Sequence, residues 1–93
     1  MTNIMKFTDY QKLINGIFDF RYNAIPHNDH NGLSYFDFTN GIEYDHGTEE
    51  AIAIEQKIAE HYGVDSITIT CKSAKEYYDL KELEENSSVT IEF

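Results

Sequence analysis

Apolar and polar positions change period several times along the chain, and each change marks an element. Tyr10, Leu13, Ile14, Ile17 and Phe18 alternate spacings of three and one, the pattern of one helical face. This predicts a helix over Thr8–Phe18, with Thr8 and Gln11 at capping-box spacing. Gly16 weakens it, and from Phe18 onward the chain is free to become extended. "FDFRY" (18–22) and "YFDFT" (35–39) alternate aromatic and polar residues, the period of half-buried strands. Between them "NAIPHNDHNG" (23–32), with the only proline, reads as a loop. Asn40-Gly41 then predicts a two-residue hairpin turn. That turn sets Thr39 opposite Ile42, Phe38 opposite Glu43 and Asp37 opposite Tyr44. It also gives Phe36 and Phe38 a face shared with Glu43 and Asp45, which is a poor apolar face. Either a bulge shifts the register, or the second strand is a short, exposed, acid-lined edge.

Thr48–Tyr62 reads as a second helix. Thr48 is its N-cap, Glu49 and Glu50 favour its positive end, and Ala51, Ile54, Ile58 and Tyr62 form its buried stripe. Gly63 is placed for a left-handed stop, with Val64 as its apolar partner. "SITITC" (66–71) is a strand with Ile67, Ile69 and Cys71 on one face. Ser73 and Glu76 are spaced for a capping box on a short helix ending near Leu83. "VTIEF" (89–93) is a last strand with Val89, Ile91 and Phe93 inward. The expected fold is one α+β domain over residues 1–93, of order α-β-β-β-α-β-α-β. Its helices pack on one face of a mainly antiparallel sheet, and residues 1–5 are disordered.

Ninety-three residues fit one domain, which buries roughly 60–65% of its unfolded surface. With 41% hydrophobic and 14% aromatic residues the chain is too apolar to be a disordered acidic tail. "MTNIMKF" lacks a signal-peptide core, and no apolar run approaches the roughly 20 residues of a membrane helix. Cys71 is the only cysteine, which fits a reducing cytoplasm, and its core-facing position argues against a nucleophile.

Charge changes the picture most. The net charge is −10, yet residues 1–25 carry three bases and two acids, a net +1, so the remainder carries −11. Tyr22 to Gln56 contains seven acids and no Lys or Arg. Such a field repels nucleic acid and anionic membrane and attracts basic surfaces, though solubility alone also accounts for net charge. Aromatics without a basic patch argue against direct nucleic-acid binding. Phosphate loops and nucleophile elbows are absent, so no enzyme and no cofactor are expected.

In "HNDHNG" (27–32), His27, Asp29, Asn31 and Gly32 echo a calcium loop. Its first ligand is histidine, however, and its twelfth position is Phe38 rather than Glu. His27, Asp29 and His30, with His46 or His61, offer zinc donors, but no second paired motif completes a set, so no metal is expected. The carboxylates form two groups. Asp37, Glu43, Asp45, Glu49, Glu50 and Glu55 span the hairpin and the second helix start. Glu76, Asp79, Glu82, Glu84 and Glu85 follow the last strand-to-helix connection. Glu43 and Asp45 project about 6.8 Å apart on one strand face. Asp79 and Glu82, three apart on a helix, repel by roughly 0.2–0.5 kcal/mol. Clustered like charge that costs stability suits a basic cleft evolved for phosphates, with Tyr35, Tyr44 and Tyr62 adding contact area.

With dense carboxylates around "NGIEYDHGTEE", the chain resembles, in overall character, the small phage-encoded inhibitors of bacterial defence. These are the anti-CRISPR and anti-restriction proteins, several of which imitate DNA charge. The resemblance implies a nucleic-acid-binding nuclease or surveillance complex as partner, in a bacterial host cytoplasm. The expected docking residues are Asp37, Glu43, Tyr44, Asp45, Glu49, Glu50, Glu55, Asp79 and Glu82. The alternatives are an immunity protein, antitoxin or complex subunit that binds through apolar and aromatic contacts, and a metal-binding protein using the His27–His30 loop.

Overall fold

The computed structural model describes residues Met1–Phe93 as an α+β domain of three helices and two three-stranded antiparallel sheets. Its radius of gyration is 12.4 Å, close to the roughly 12 Å of a single compact domain of this length. The elements are β1 (Thr2–Lys6), α1 (Phe7–Phe18), β2 (Tyr22–Pro26), β3 (Leu33–Asp37) and β4 (Ile42–Tyr44). They continue with α2 (Glu49–Tyr62), β5 (Thr68–Ser73), α3 (Leu80–Glu85) and β6 (Ser87–Glu92). One sheet has the order β1-β6-β5 and the other β2-β3-β4. Both sheets and helices α1 and α2 contribute to one core, in which Tyr10, Ile14, Leu33, Tyr35, Ile58 and Ile91 are fully buried.

The helical periodicity reads through as expected, but its borders move. The N-terminus is ordered: β1 pairs with β6 from Thr2↔Glu92 to Lys6↔Ser88 and runs directly into α1. No side chain caps α1. Gln11, expected in a capping box, instead ties α1 to β2, donating to the Tyr22 carbonyl at 3.1 Å and accepting from the Ala24 N–H at 2.8 Å. "FDFRY" is not a strand. α1 extends through Phe18, and Asp19 and Phe20 turn left-handed at φ of 53° and 62°, with the Phe20 N–H reaching back to the Asn15 carbonyl. Strand β2 therefore falls on "YNAIP", sharing only Tyr22 with the expected strand and taking "NAIP" from the expected loop. Pro26 is tolerated because β2 is an edge strand of its sheet.

Helix α2 matches expectation. The Thr48 side chain accepts from the Ala51 N–H, and Gly63 closes the helix at φ of 73°, with the Val64 N–H bonded to the Ala59 carbonyl. Helix α3 is capped by Asp79, which accepts from the Lys81 N–H, and not by Ser73, which ends β5. Asp79 and Glu82 are thus the N-cap and a first-turn residue, where the helix dipole favours acids and the supposed like-charge penalty is offset. Ile69, Cys71, Val89 and Ile91 line the buried face of β5 and β6. Burial pushes the Cys71 thiol up to about 11.

Candidate functional site

The hairpin of β3 and β4 organises the acidic region, and Asp37 organises the hairpin. The Asp37 carboxylate is fully buried and accepts six hydrogen bonds. Arg21 donates two, from Nε at 3.2 Å and Nη2 at 3.0 Å. The Thr39 N–H, the Asn40 N–H, the Asn40 side-chain amide and the Tyr44 hydroxyl donate the rest. The Arg21 guanidinium, with these donors, holds the carboxyl far below the usual carboxylate range. Asp37 is therefore corrected from a docking residue to the keystone of the loop; a partner cannot reach it.

The same carboxylate explains the register. By gathering the N–H groups of 39 and 40 it builds a four-residue loop over 38–41, closed by the Gly41 N–H on the Asp37 carbonyl at 2.8 Å. Only Gly41 takes a positive φ, 67°, so the two-residue turn that needs Asn40 there as well does not form. Asp37 faces Ile42 and Phe36 faces Glu43, two residues from the expected pairing. A shift of two preserves which face each side chain occupies. β4 is the short exposed edge strand, and Phe38 leaves the sheet for the loop at 61% exposure.

Glu55 is the second inward acid. The buried hydroxyls of Tyr10 and Tyr35 are 2.7 Å apart, and Tyr35 donates to Glu55 Oε2 at 2.7 Å. Burial raises the pKa of Glu55, partly offset by that hydrogen bond. Glu55 is half-buried and committed to the core, and Tyr35, proposed as contact area, is wholly inside. Tyr44 and Tyr62 are partly buried against the core, and Tyr44 spends its hydroxyl on Asp37.

What remains outside is a shorter acidic row. Glu43 on β4, Asp45 beyond it, and Glu49 and Glu50 in the first turn of α2 are all exposed. None of them pairs with a base: the ion pairs of the molecule are Arg21–Asp37, His30–Asp29 and Lys57–Glu60. Ile42, on the same edge, is 52% exposed. Between the end of α1, β4 and α2 lies an open cavity of about 360 Å³, lined among others by Phe18, Tyr22, Tyr44 and Glu50, with Arg21 and Lys57 at its wall. Of the second acidic group, Glu82 is exposed in α3 and Asp79 is exposed but acts as its cap.

The "HNDHNG" loop is built rather than slack. The Cys71 N–H donates to the Asn31 carbonyl at 2.7 Å, and the Asn28 side-chain amide exchanges two hydrogen bonds with the backbone of Tyr77. The His27 and His30 rings lie 4.4 Å apart, and the His46 ring stacks on His30 at 5.3 Å. His46 also covers Gly32, where any Cβ would collide with its ring. Burial, and then the neighbouring His30, lower the pKa of His27, while Asp29, Glu43 and Asp45 act on it in the opposite sense. His61 stands apart on α2, against Tyr62. Sequence spacing missed Ser34 and the seating of the His46 ring on Gly32 in this cluster. It also missed Arg21, although Arg21 is the last base before the base-free stretch.

No helix is long and apolar enough to cross a membrane. No protein-family model, curated protein or solved structure matches this chain.

Proposed function

We propose that this chain is a non-enzymatic acidic binding protein that occupies a basic cleft on a nucleic-acid-binding protein and blocks it, in the manner of anti-CRISPR and anti-restriction inhibitors. The observation that carries this reading is the row Glu43, Asp45, Glu49 and Glu50: exposed, spread over eight residues from the hairpin edge to the helix start, and without a single paired base. Two of the seven acids in the base-free stretch, Asp37 and Glu55, serve the fold, so the docking set is narrower than composition implied. Unpaired carboxylates on a rigid edge attract and orient a basic partner at long range. Glu49 and Glu50 also stabilise the start of α2 through the helix dipole, whereas Glu43 and Asp45 make no side-chain contact that the fold requires.

A second reading rests on Phe38 and Ile42, exposed beside that row. There the chain is a complex subunit, immunity protein or antitoxin held mainly by apolar contact, and charge keeps it soluble. A variant carrying Glu43→Gln, Asp45→Asn, Glu49→Gln and Glu50→Gln separates the two. Capture of a nucleic-acid-binding protein from bacterial lysate by the parent chain but not by this folded variant supports the acidic reading. Equal capture by both chains overturns it and favours the apolar one.

A further inference from the structure

Three histidines converge where the loop 27–32 meets the turn after β4, and their nitrogens are not equivalent. His27 Nε2 shares a 2.7 Å hydrogen bond with the hydroxyl of Ser34, itself almost fully buried on β3. His30 Nδ1 accepts the Gly32 N–H at 3.0 Å. His27 thus has its Nε2 fixed by the protein and Nδ1 available, whereas His30 Nδ1, as an acceptor, places the ring proton on Nε2, so His30 presents a lone pair to a cation only once its ring gives up the Gly32 bond. For His27 this is how ligating histidines are normally oriented, with the Nε2–H given to a protein oxygen so that the Nδ1 lone pair is aimed. The Asp29 carboxylate adds a third donor, with Oδ1 at 3.7 Å from His30 Nε2. One donor atom from each of His27, Asp29 and His30 lies within 4.8 Å of the others.

We propose that His27, Asp29 and His30 bind one borderline divalent transition-metal ion of the Zn²⁺ class, with a fourth position open to water or to a partner's side chain. Two imidazoles and one carboxylate suit Zn²⁺ far better than Ca²⁺ or Mg²⁺, which require all-oxygen shells. Tetrahedral bonds of about 2.0–2.1 Å place donors roughly 3.3 Å apart, so the group must contract by somewhat more than an ångström. The two side chains that move are the exposed ones, Asp29 at 83% exposure and His30 at 39%, the latter turning off the Gly32 N–H, while His27 stays held by Ser34. The loop beneath them is anchored through Asn28 and Asn31, so closure needs side-chain rotation and no refolding. His46 is a wall rather than a ligand: it rests on Gly32 and stacks on the outer face of His30. Glu43 and Asp45 lie near enough to His27 to add negative potential that favours a cation.

The site is independent of the docking proposal, and its test needs no partner. The full chain, stripped with a chelator, is titrated calorimetrically with ZnCl₂ and, in parallel, with CoCl₂ followed by visible absorption. The expected result is one Zn²⁺ per chain and a tetrahedral Co²⁺ spectrum. His30→Ala and Asp29→Asn each weaken Zn²⁺ binding at least about tenfold, and Ser34→Ala, which frees the His27 ring, weakens it about ten- to a hundredfold. His61→Ala matches the parent. Absence of Zn²⁺ binding by the parent overturns the proposal, as does binding of equal strength in the parent and the folded His30→Ala chain.

Discussion

Arg21 closes on Asp37 with both Nε and Nη2, at 3.2 and 3.0 Å, tying the segment after α1 to the end of β3. The Arg21 carbonyl also accepts the Phe38 N–H at 3.0 Å, so backbone and side chain hold the loop from the same residue. Arg21 is the base that the acidic stretch lacks in its own sequence, and it neutralises the one carboxylate that is buried.

Asp37→Ala leaves Arg21, Thr39 and Asn40 without their acceptor. It is expected to lower Tm by on the order of 10 °C or more and to strip hydrogen-exchange protection from the 38–41 loop. The pH dependence has a definite sign. The Asp37 pKa is depressed in the folded state, so its contribution is complete above the ordinary carboxylate range and is lost as pH falls. The Tm difference between the parent and Asp37→Asn should be constant above about pH 5 and shrink below about pH 4. A gap that widens on acidification contradicts this role.

Glu55 has the opposite sign. Burial raises its pKa, so its contribution is greatest below the unfolded carboxylate pKa and declines as pH rises. Glu55→Gln keeps an acceptor for the Tyr35 hydroxyl and removes the charge. Thermal unfolding should show a higher Tm for Glu55→Gln at pH 7, with the advantage vanishing below about pH 4.5.

The Gly32–His46 contact is steric. The φ of Gly32 is not positive, but a Cβ there strikes the His46 ring. Gly32→Ala should cost about 1–3 kcal/mol. In the background of His46→Ala the same change should cost markedly less, and chemical denaturation of the four chains measures the coupling. Additive effects would mean that the ring moves aside freely.

The sequence carried the elements whose stabilisation is local. Helix α2 was legible in full because Thr48, its apolar stripe and Gly63 are all within the helix or its caps. The alternation of "SITITC" located β5 to within two residues. What was hidden depends on distant partners. β1 exists because β6, nearly ninety residues away, pairs with it. Gln11 is a capping residue by spacing and a strand anchor by contact with Tyr22 and Ala24. The Asn40-Gly41 hairpin signal lost to the Asp37 carboxylate, whose donors are gathered from both sides of the loop and from Arg21. The same long-range contact turned one supposed docking residue into a buried one. It left Glu43, Asp45, Glu49 and Glu50 as the exposed acids of the hairpin edge and helix start, of which Glu49 and Glu50 also suit the helix dipole.

The most direct measurement follows a fluorescent nucleic acid bound to the captured partner while this chain is titrated in at several salt concentrations. The account predicts that the chain displaces the nucleic acid and that its affinity falls linearly in log–log with salt. Replacing Glu43, Asp45, Glu49 and Glu50 by their amides should flatten that slope. A ternary complex in which nucleic acid stays bound, or an affinity indifferent to both salt and the four substitutions, contradicts it.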